Sequence, residues 1–253
     1  MLIVIMGLAG LLAGGIINAL ADCLPEREPL ARPRCSHCHT SYPLTGWLAL
    51  SRSFLYQGKC PACGQKEHWR GRVLEISTVG LFTILPLFIT HPITLVVTAF
   101  YTAVLLLIIV IDLEHRLILH VVTFPVTLLA LLLTFINPDN NLLLAVTGAA
   151  AGFISFFLLY QLGILLFGPG ALGFGDVTLA MTMGAMLGLH RIIFALIIGI
   201  VLGGIISLFI LLIRRSAARS YLPYGQYLAT GGIVMLIWGN QILAWYIGSV
   251  EGG

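Results

Sequence analysis

Eight apolar runs divide this chain, near residues 2–21, 73–90, 92–112, 121–137, 142–167, 177–190, 192–213 and 224–248. A stretch of about 20 apolar residues is what a helix needs to cross the hydrocarbon core of a bilayer. Composition agrees, with 59% hydrophobic and 9% charged residues and a mean hydropathy of +1.03. No soluble core is this large relative to its surface. The expected fold is therefore an all-α polytopic membrane protein of about eight transmembrane helices. The runs at 121–137 and 177–190 are short for a full crossing. Interior glycines such as Gly10, Gly14, Gly15, Gly199, Gly203 and Gly204 let helices approach closely in lipid. The first run begins apolar at Met1-Leu2-Ile3-Val4 without a basic leader, so it reads as an anchor and not as a removable signal.

Charge supplies an orientation. Of the 13 Lys and Arg, only Arg191 falls on the outer side when the spans alternate with residues 22–72 inside. The other basic residues, from Arg27, Arg32 and Arg34 through Arg116 to Arg214, Arg215 and Arg219, fall inside. This is a strong positive-inside pattern, and it predicts both chain ends outside. No basic run interleaved with aromatics speaks for nucleic acid as a partner. Membrane lipid is the expected surrounding.

Residues 22–72 differ in composition. They are polar, basic and rich in proline near their start (Pro25, Pro29, Pro33), and they hold all five cysteines. The expected organisation is a first transmembrane helix at 1–21, a small cytoplasmic zinc-binding domain at 22–72 and a transmembrane core at 73–253. Four cysteines stand as Cys35-Ser36-His37-Cys38 and Cys60-Pro61-Ala62-Cys63. Two such knuckles match a four-thiolate tetrahedral zinc site, because a two-residue gap turns both sulfurs of a knuckle onto one metal. Gly64 supplies the permissive backbone that follows such a knuckle. Disulfides are the bland alternative, and the reducing inner side argues against them. Four thiolates leave no open coordination position, so the zinc is expected to be structural, and binding it would supply much of this module's folding free energy. Cys23 is the odd thiol.

Two carboxylates draw attention in the apolar part of the chain. Asp112 closes the third run and Asp176 opens the sixth, after Gly173-Phe174-Gly175. An ionisable side chain inside a membrane segment is expensive and by default functional. Two carboxylates sharing one proton can activate a water and protonate a scissile carbonyl, as in aspartyl proteases. Glycines beside Asp176 would let a substrate backbone approach, and Gly168-Pro169-Gly170 breaks the run just upstream. The residues alone leave alternatives. Asp22, Glu75 and Glu114 reach the same predicted boundary, Asp176 could simply cap its helix, and an ion-coupled transporter could use Asp112 and Asp176 equally.

The ordered set of motifs resembles the type IV prepilin peptidases, which are GxGD intramembrane aspartyl proteases. Gly173-Phe174-Gly175-Asp176 matches the GxGD signature. Gly14 to Asn18 with Leu24-Pro25, the two cysteine knuckles, Tyr42-Pro43-Leu44 with Trp47-Leu48, Leu74-Glu75, and Asp112 followed by Thr123-Phe124-Pro125 are similar to further family stretches. So is Pro223-Tyr224-Gly225-Gln226-Tyr227-Leu228-Ala229 near the end. The resemblance selects Asp112 and Asp176 as the catalytic pair. It implies cytoplasmic-side cleavage of the basic leader of a type IV prepilin or pseudopilin, typically after Gly, at the bacterial inner membrane. It also implies N-methylation of the newly exposed residue, commonly Phe, with S-adenosylmethionine. The sequence shows no Rossmann-type glycine loop for that cofactor. Relatives lacking the methyltransferase usually lack the zinc cysteines, which are present here. The chain departs from the family pattern at Leu119 and His120, where Ile-Pro-Asp is common, and at Thr178, where Lys is common. It also departs at Cys23, which replaces an Arg, and at Gln226, which replaces a Pro.

Overall fold

The computed structural model describes residues 1–27, 33–35, 37–66, 68–168, 172–213 and 224–251. Pro29, Arg32, Ser36, Pro169, Gly170, Arg214, Arg215, Arg219 and Pro223 lie outside the described residues. The protein is nearly all helical, with no strand among the described residues. Among the described residues, six helices are long and apolar enough to cross a membrane, and two shorter apolar helices, His120–Leu133 and Phe174–Leu187, correspond to the two short runs. The chain is thus a multi-pass membrane protein. It divides into two compact units, Met1–Thr90 and His91–Gly253.

The first unit holds α1 (Leu2–Cys23), α2 (Ala49–Leu55) and α3 (Arg70–Phe88), with a single 3₁₀ turn at Leu44–Gly46. α1 and α3 run antiparallel. Gly7 of α1 faces Thr83, Gly10 faces Thr78 and Phe82, and Gly14 faces Thr78 and Glu75. Lipid offers no hydrophobic drive between helices, so this small-residue stripe gains its stability from close van der Waals approach. The Asn18 side chain closes the seam by donating to the Gly71 carbonyl at 3.2 Å.

The second unit holds α4 (Pro92–His115), α5 (His120–Leu133), α6 (Leu142–Phe167), α7 (Phe174–Leu187), α8 (Leu189–Ile213) and α9 (Gly225–Glu251). α5 and α7 run parallel, and their threonines form a ladder: Thr123 donates to Thr178 at 3.5 Å and the Thr127 and Thr182 hydroxyls are hydrogen-bonded to each other at 2.8 Å. Hydroxyl pairs of this kind replace water as partners in a lipid-embedded seam. At the opposite end of this unit, Thr94 donates to Asn137 at 3.0 Å, and the Asn140 amide donates to the Ala185 and Met186 carbonyls that end α7. Arg191, the one basic residue of the outer side in the charge reading, donates to Asn240. α6 crosses α7 backbone on backbone where Gly148 and Gly152 meet Gly184 and Ala180.

That crossing sets a first expectation. Gly184→Val places methyl groups against the Gly148 carbonyl and should cost roughly 1–3 kcal/mol by overpacking. Gly204→Val, whose Cβ meets open space, serves as the comparison. Thermal denaturation in detergent should show a lowered midpoint for the first variant only; equal midpoints would contradict the close crossing.

Candidate active site and metal centre

Asp112 sits in the last turn of α4. The helix continues one turn past it to His115 and ends where Arg116 adopts a left-handed conformation, φ 53°, its N–H bonding back to the Asp112 carbonyl. The apolar run stopped at Asp112, but helical hydrogen bonding carries on through the charged residues that follow. Asp176 likewise lies inside its helix, since α7 begins at Phe174 with Gly173 as N-cap. No side chain caps this N-terminus, so Asp176 occupies the first turn without serving as a cap. Its N–H bonds to the Gly173 carbonyl at 3.1 Å.

The structure brings the two carboxyl groups within electrostatic reach of each other, and both residues are 3% exposed. α4 leads through a short irregular connection, 116–119, into α5, which runs parallel to α7. Ile118 in that connection is the wedge. A Cβ on Gly175 would come within 2.7 Å of the Ile118 Cβ, and one on Gly225 within 2.7 Å of the Ile118 Cδ1 and 3.0 Å of Asp112 Oδ2. The Cβ position of Gly175 is therefore filled by Ile118.

Asp112 has a second partner that residue spacing did not reveal. The first residues of α9 point their free N–H groups at it: Gln226 N–H donates to Oδ2 at 2.9 Å, and the Gly225 N–H contributes as well. A helix N-terminus has unpaired donors and the positive end of the dipole, which suits a carboxylate. A proline at position 226 could not make this bond, so the Gln226 departure has a concrete consequence. Tyr224 and Tyr227, packed edge to face at 6.4 Å, complete the surroundings. Tyr224 lies within electrostatic reach of Asp176 and Tyr227 within reach of Asp112.

The other acids are engaged elsewhere. Asp22 pairs with Arg70 at 2.6 Å. Glu75 is fully buried and uses both carboxylate oxygens to accept the Ala49 and Leu50 N–H groups at 2.7 and 2.8 Å, capping α2 from α3. Glu114 is exposed. The departures at His120 and Thr178 meet in one contact, Nδ1 to Oγ1 at 3.3 Å.

In the first unit the four knuckle cysteines converge, with all four sulfurs within 4.8 Å of one another. Each knuckle is a small turn closed by one bridge, Arg34 to Ser41 and Lys59 to Lys66. The same bonds recur in both: Cys35 N–H to Thr40 and His39 N–H to Cys35, then Cys60 N–H to Gln65 and Gly64 N–H to Cys60. Both turns need a left-handed residue after the second cysteine, and His39 (φ 54°) and Gly64 (φ 71°) supply it. Sulfur separations across the knuckles are 3.8 Å for Cys35–Cys63 and 3.7 Å for Cys38–Cys60. A disulfide needs about 2.05 Å, whereas zinc–sulfur bonds of about 2.3 Å give a tetrahedron edge of about 3.8 Å. The cluster thus fits a tetrahedral metal. Hydrogen bonds from Thr40 hold the Cys38 thiol below its ordinary value, which favours a metal-binding thiolate there. Tyr42 packs on the buried face of the cluster, beneath Arg52, whose guanidinium lies 4.5 Å from the ring centroid.

Comparison with known proteins follows the same division. A profile for the type IV leader peptidase family matches residues 99–208, and one for the bacterial Peptidase A24 N-terminal domain matches residues 8–89. The prepilin leader peptidase/N-methyltransferase of Aeromonas salmonicida is 30% identical over 221 residues, 86% of this chain and 74% of the relative. Proteins of the same name from Pseudomonas putida and Pseudomonas aeruginosa are 26% and 27% identical. They cover 93% and 95% of this chain and 90% and 91% of their own lengths. No solved structure matches the chain significantly. With the motifs in order, the two carboxylates together and a relative of this similarity across most of both chains, the protein belongs to the type IV leader peptidase family.

Proposed function

We infer that this chain is a membrane-embedded aspartyl endopeptidase that removes the leader of a type IV prepilin or pseudopilin and methylates the new N-terminus. The burial of Asp112 and Asp176 within electrostatic reach of each other, in a chain of this family, is what supports the reading. A transporter has no comparable support from the relatives. In the peptidase step one carboxylate takes a proton from water as it attacks the scissile carbonyl, and the other donates a proton to the carbonyl oxygen. An aspartyl protease of this kind works with one proton shared between its two carboxyl groups. The α9 N-terminus holds Asp112 in place through the Gln226 N–H, and the Ile118 wedge sets the approach of α7.

Cys35, Cys38, Cys60 and Cys63 would hold one zinc ion, whose closed shell supplies folding free energy and no chemistry. S-adenosylmethionine is the methyl donor that the resemblance implies. The described residues contain no parallel sheet to cradle it in the Rossmann manner. We place the cysteine segment and both aspartates on the cytoplasmic side of the inner membrane, on the charge asymmetry.

Purified protein in detergent should cleave a prepilin and transfer a methyl group to the product; an inert, folded preparation would refute the reading. For the orientation, Asp139→Cys should react with a membrane-impermeant thiol reagent in intact cells, while the native cysteines stay protected until lysis. The reverse pattern would invert the topology.

A further inference from the structure

The first turn of a helix is where backbone N–H groups lack intrahelical partners and where fraying begins. Asp176 stands there, on a helix with no side-chain cap. A carboxylate that must meet a second carboxylate and a water within a fraction of an ångström needs that turn held still. His120, the first residue of the parallel helix α5, grips it from both sides. Its ring lies edge-on to Phe174, two residues before Asp176, with centroids 6.0 Å apart. Its Nδ1 meets the Thr178 hydroxyl, two residues after Asp176, at 3.3 Å. Thr178 in turn donates to the Gly175 carbonyl at 2.9 Å and receives Thr123 at 3.5 Å. The imidazole also packs against Phe124, centroids 5.6 Å apart. Thr178 is 1% exposed, whereas His120 is exposed and can be replaced without leaving a cavity.

We propose that His120 is a positioning residue for the peptidase step, acting through the Thr178 hydroxyl and the Phe174 ring to hold the α7 turn that carries Asp176. It touches neither the scissile bond nor the water; it narrows the range of positions open to the second carboxylate. The proposal rests on the aspartyl-protease reading.

The test is steady-state cleavage of a prepilin by detergent-purified variants, each checked by thermal denaturation. His120→Phe keeps the ring contacts and loses the nitrogen. Thr178→Val keeps the shape and loses the hydroxyl, and Thr178→Ser restores it. Misplacing a catalytic group by about 1 Å costs up to roughly 100-fold. His120→Phe and Thr178→Val should each lower kcat about tenfold with KM changed by less than about twofold. The double variant should be no slower than the worse single one, because both remove the same contact, and Thr178→Ser should recover most of the rate. Wild-type kcat in His120→Phe, or losses that multiply in the double variant, would overturn the proposal. So would a Thr178→Ser protein as slow as Thr178→Val. If wild type itself fails to cleave, the protease reading fails first, and that result is distinct from wild-type activity persisting in the variants.

Discussion

Asp112→Asn and Asp176→Asn should each abolish prepilin cleavage, with rates falling by roughly four orders of magnitude or more, because groups acting as a unit fail together. Each substitution preserves shape and removes the ionisable oxygen. In Asp112→Asn the amide oxygen still accepts the Gln226 N–H that Asp112 Oδ2 accepts at 2.9 Å, so the α9 N-terminus keeps its partner. Neither variant should unfold, since a neutral amide costs less than a carboxylate in an apolar setting. Glu114→Gln, at an exposed residue two positions beyond Asp112, should cleave at the wild-type rate. The measurement is leader processing by folded protein of each variant, beside wild type. Near wild-type processing by either Asn variant would remove the two-carboxylate mechanism. In that case Asp112 would be left as an anchor for α9.

The second large effect concerns the metal. Wild type should carry about one zinc per chain, and replacing all four knuckle cysteines with serine should remove it. Structural zinc binding in small modules is worth on the order of 10–16 kcal/mol at neutral pH, comparable to the whole net stability of a typical domain. Residues 33–66 should therefore become sensitive to limited proteolysis in the variant and in chelator-treated wild type. The loss should reach α2, because the Ala49 and Leu50 N–H groups are capped by Glu75 only while that segment is folded. Acid should release the metal too, since protons compete for the thiolates. Full zinc retention by the four-serine protein, read by metal analysis, would refute the site. Unchanged proteolysis with the metal gone would show that the knuckles fold without it.

Length and hydropathy of the apolar runs determined the class of fold, because crossing a bilayer imposes a helix length that is visible in one dimension. The two shorter helices were visible as runs short for a full crossing. The cysteine knuckles were equally legible, since a two-residue gap is a local constraint on one turn, and the ordered motifs marked Asp112 and Asp176 among the acids. What the spacing left open was every pairing between residues far apart in sequence. Only the tertiary structure engages Asp22 with Arg70 and spends both oxygens of Glu75 on α2, while it buries Asp112 and Asp176 within electrostatic reach of each other. It gives Gly175 to Ile118, turns Gln226 into a donor for Asp112 across 114 residues, and joins His120 to Thr178 across 58. Periodicity and spacing record what a segment does with its own neighbours. Which side chain fills a glycine's gap, or which amide reaches a carboxylate, is decided only when helices pack and each buried polar group must find a partner.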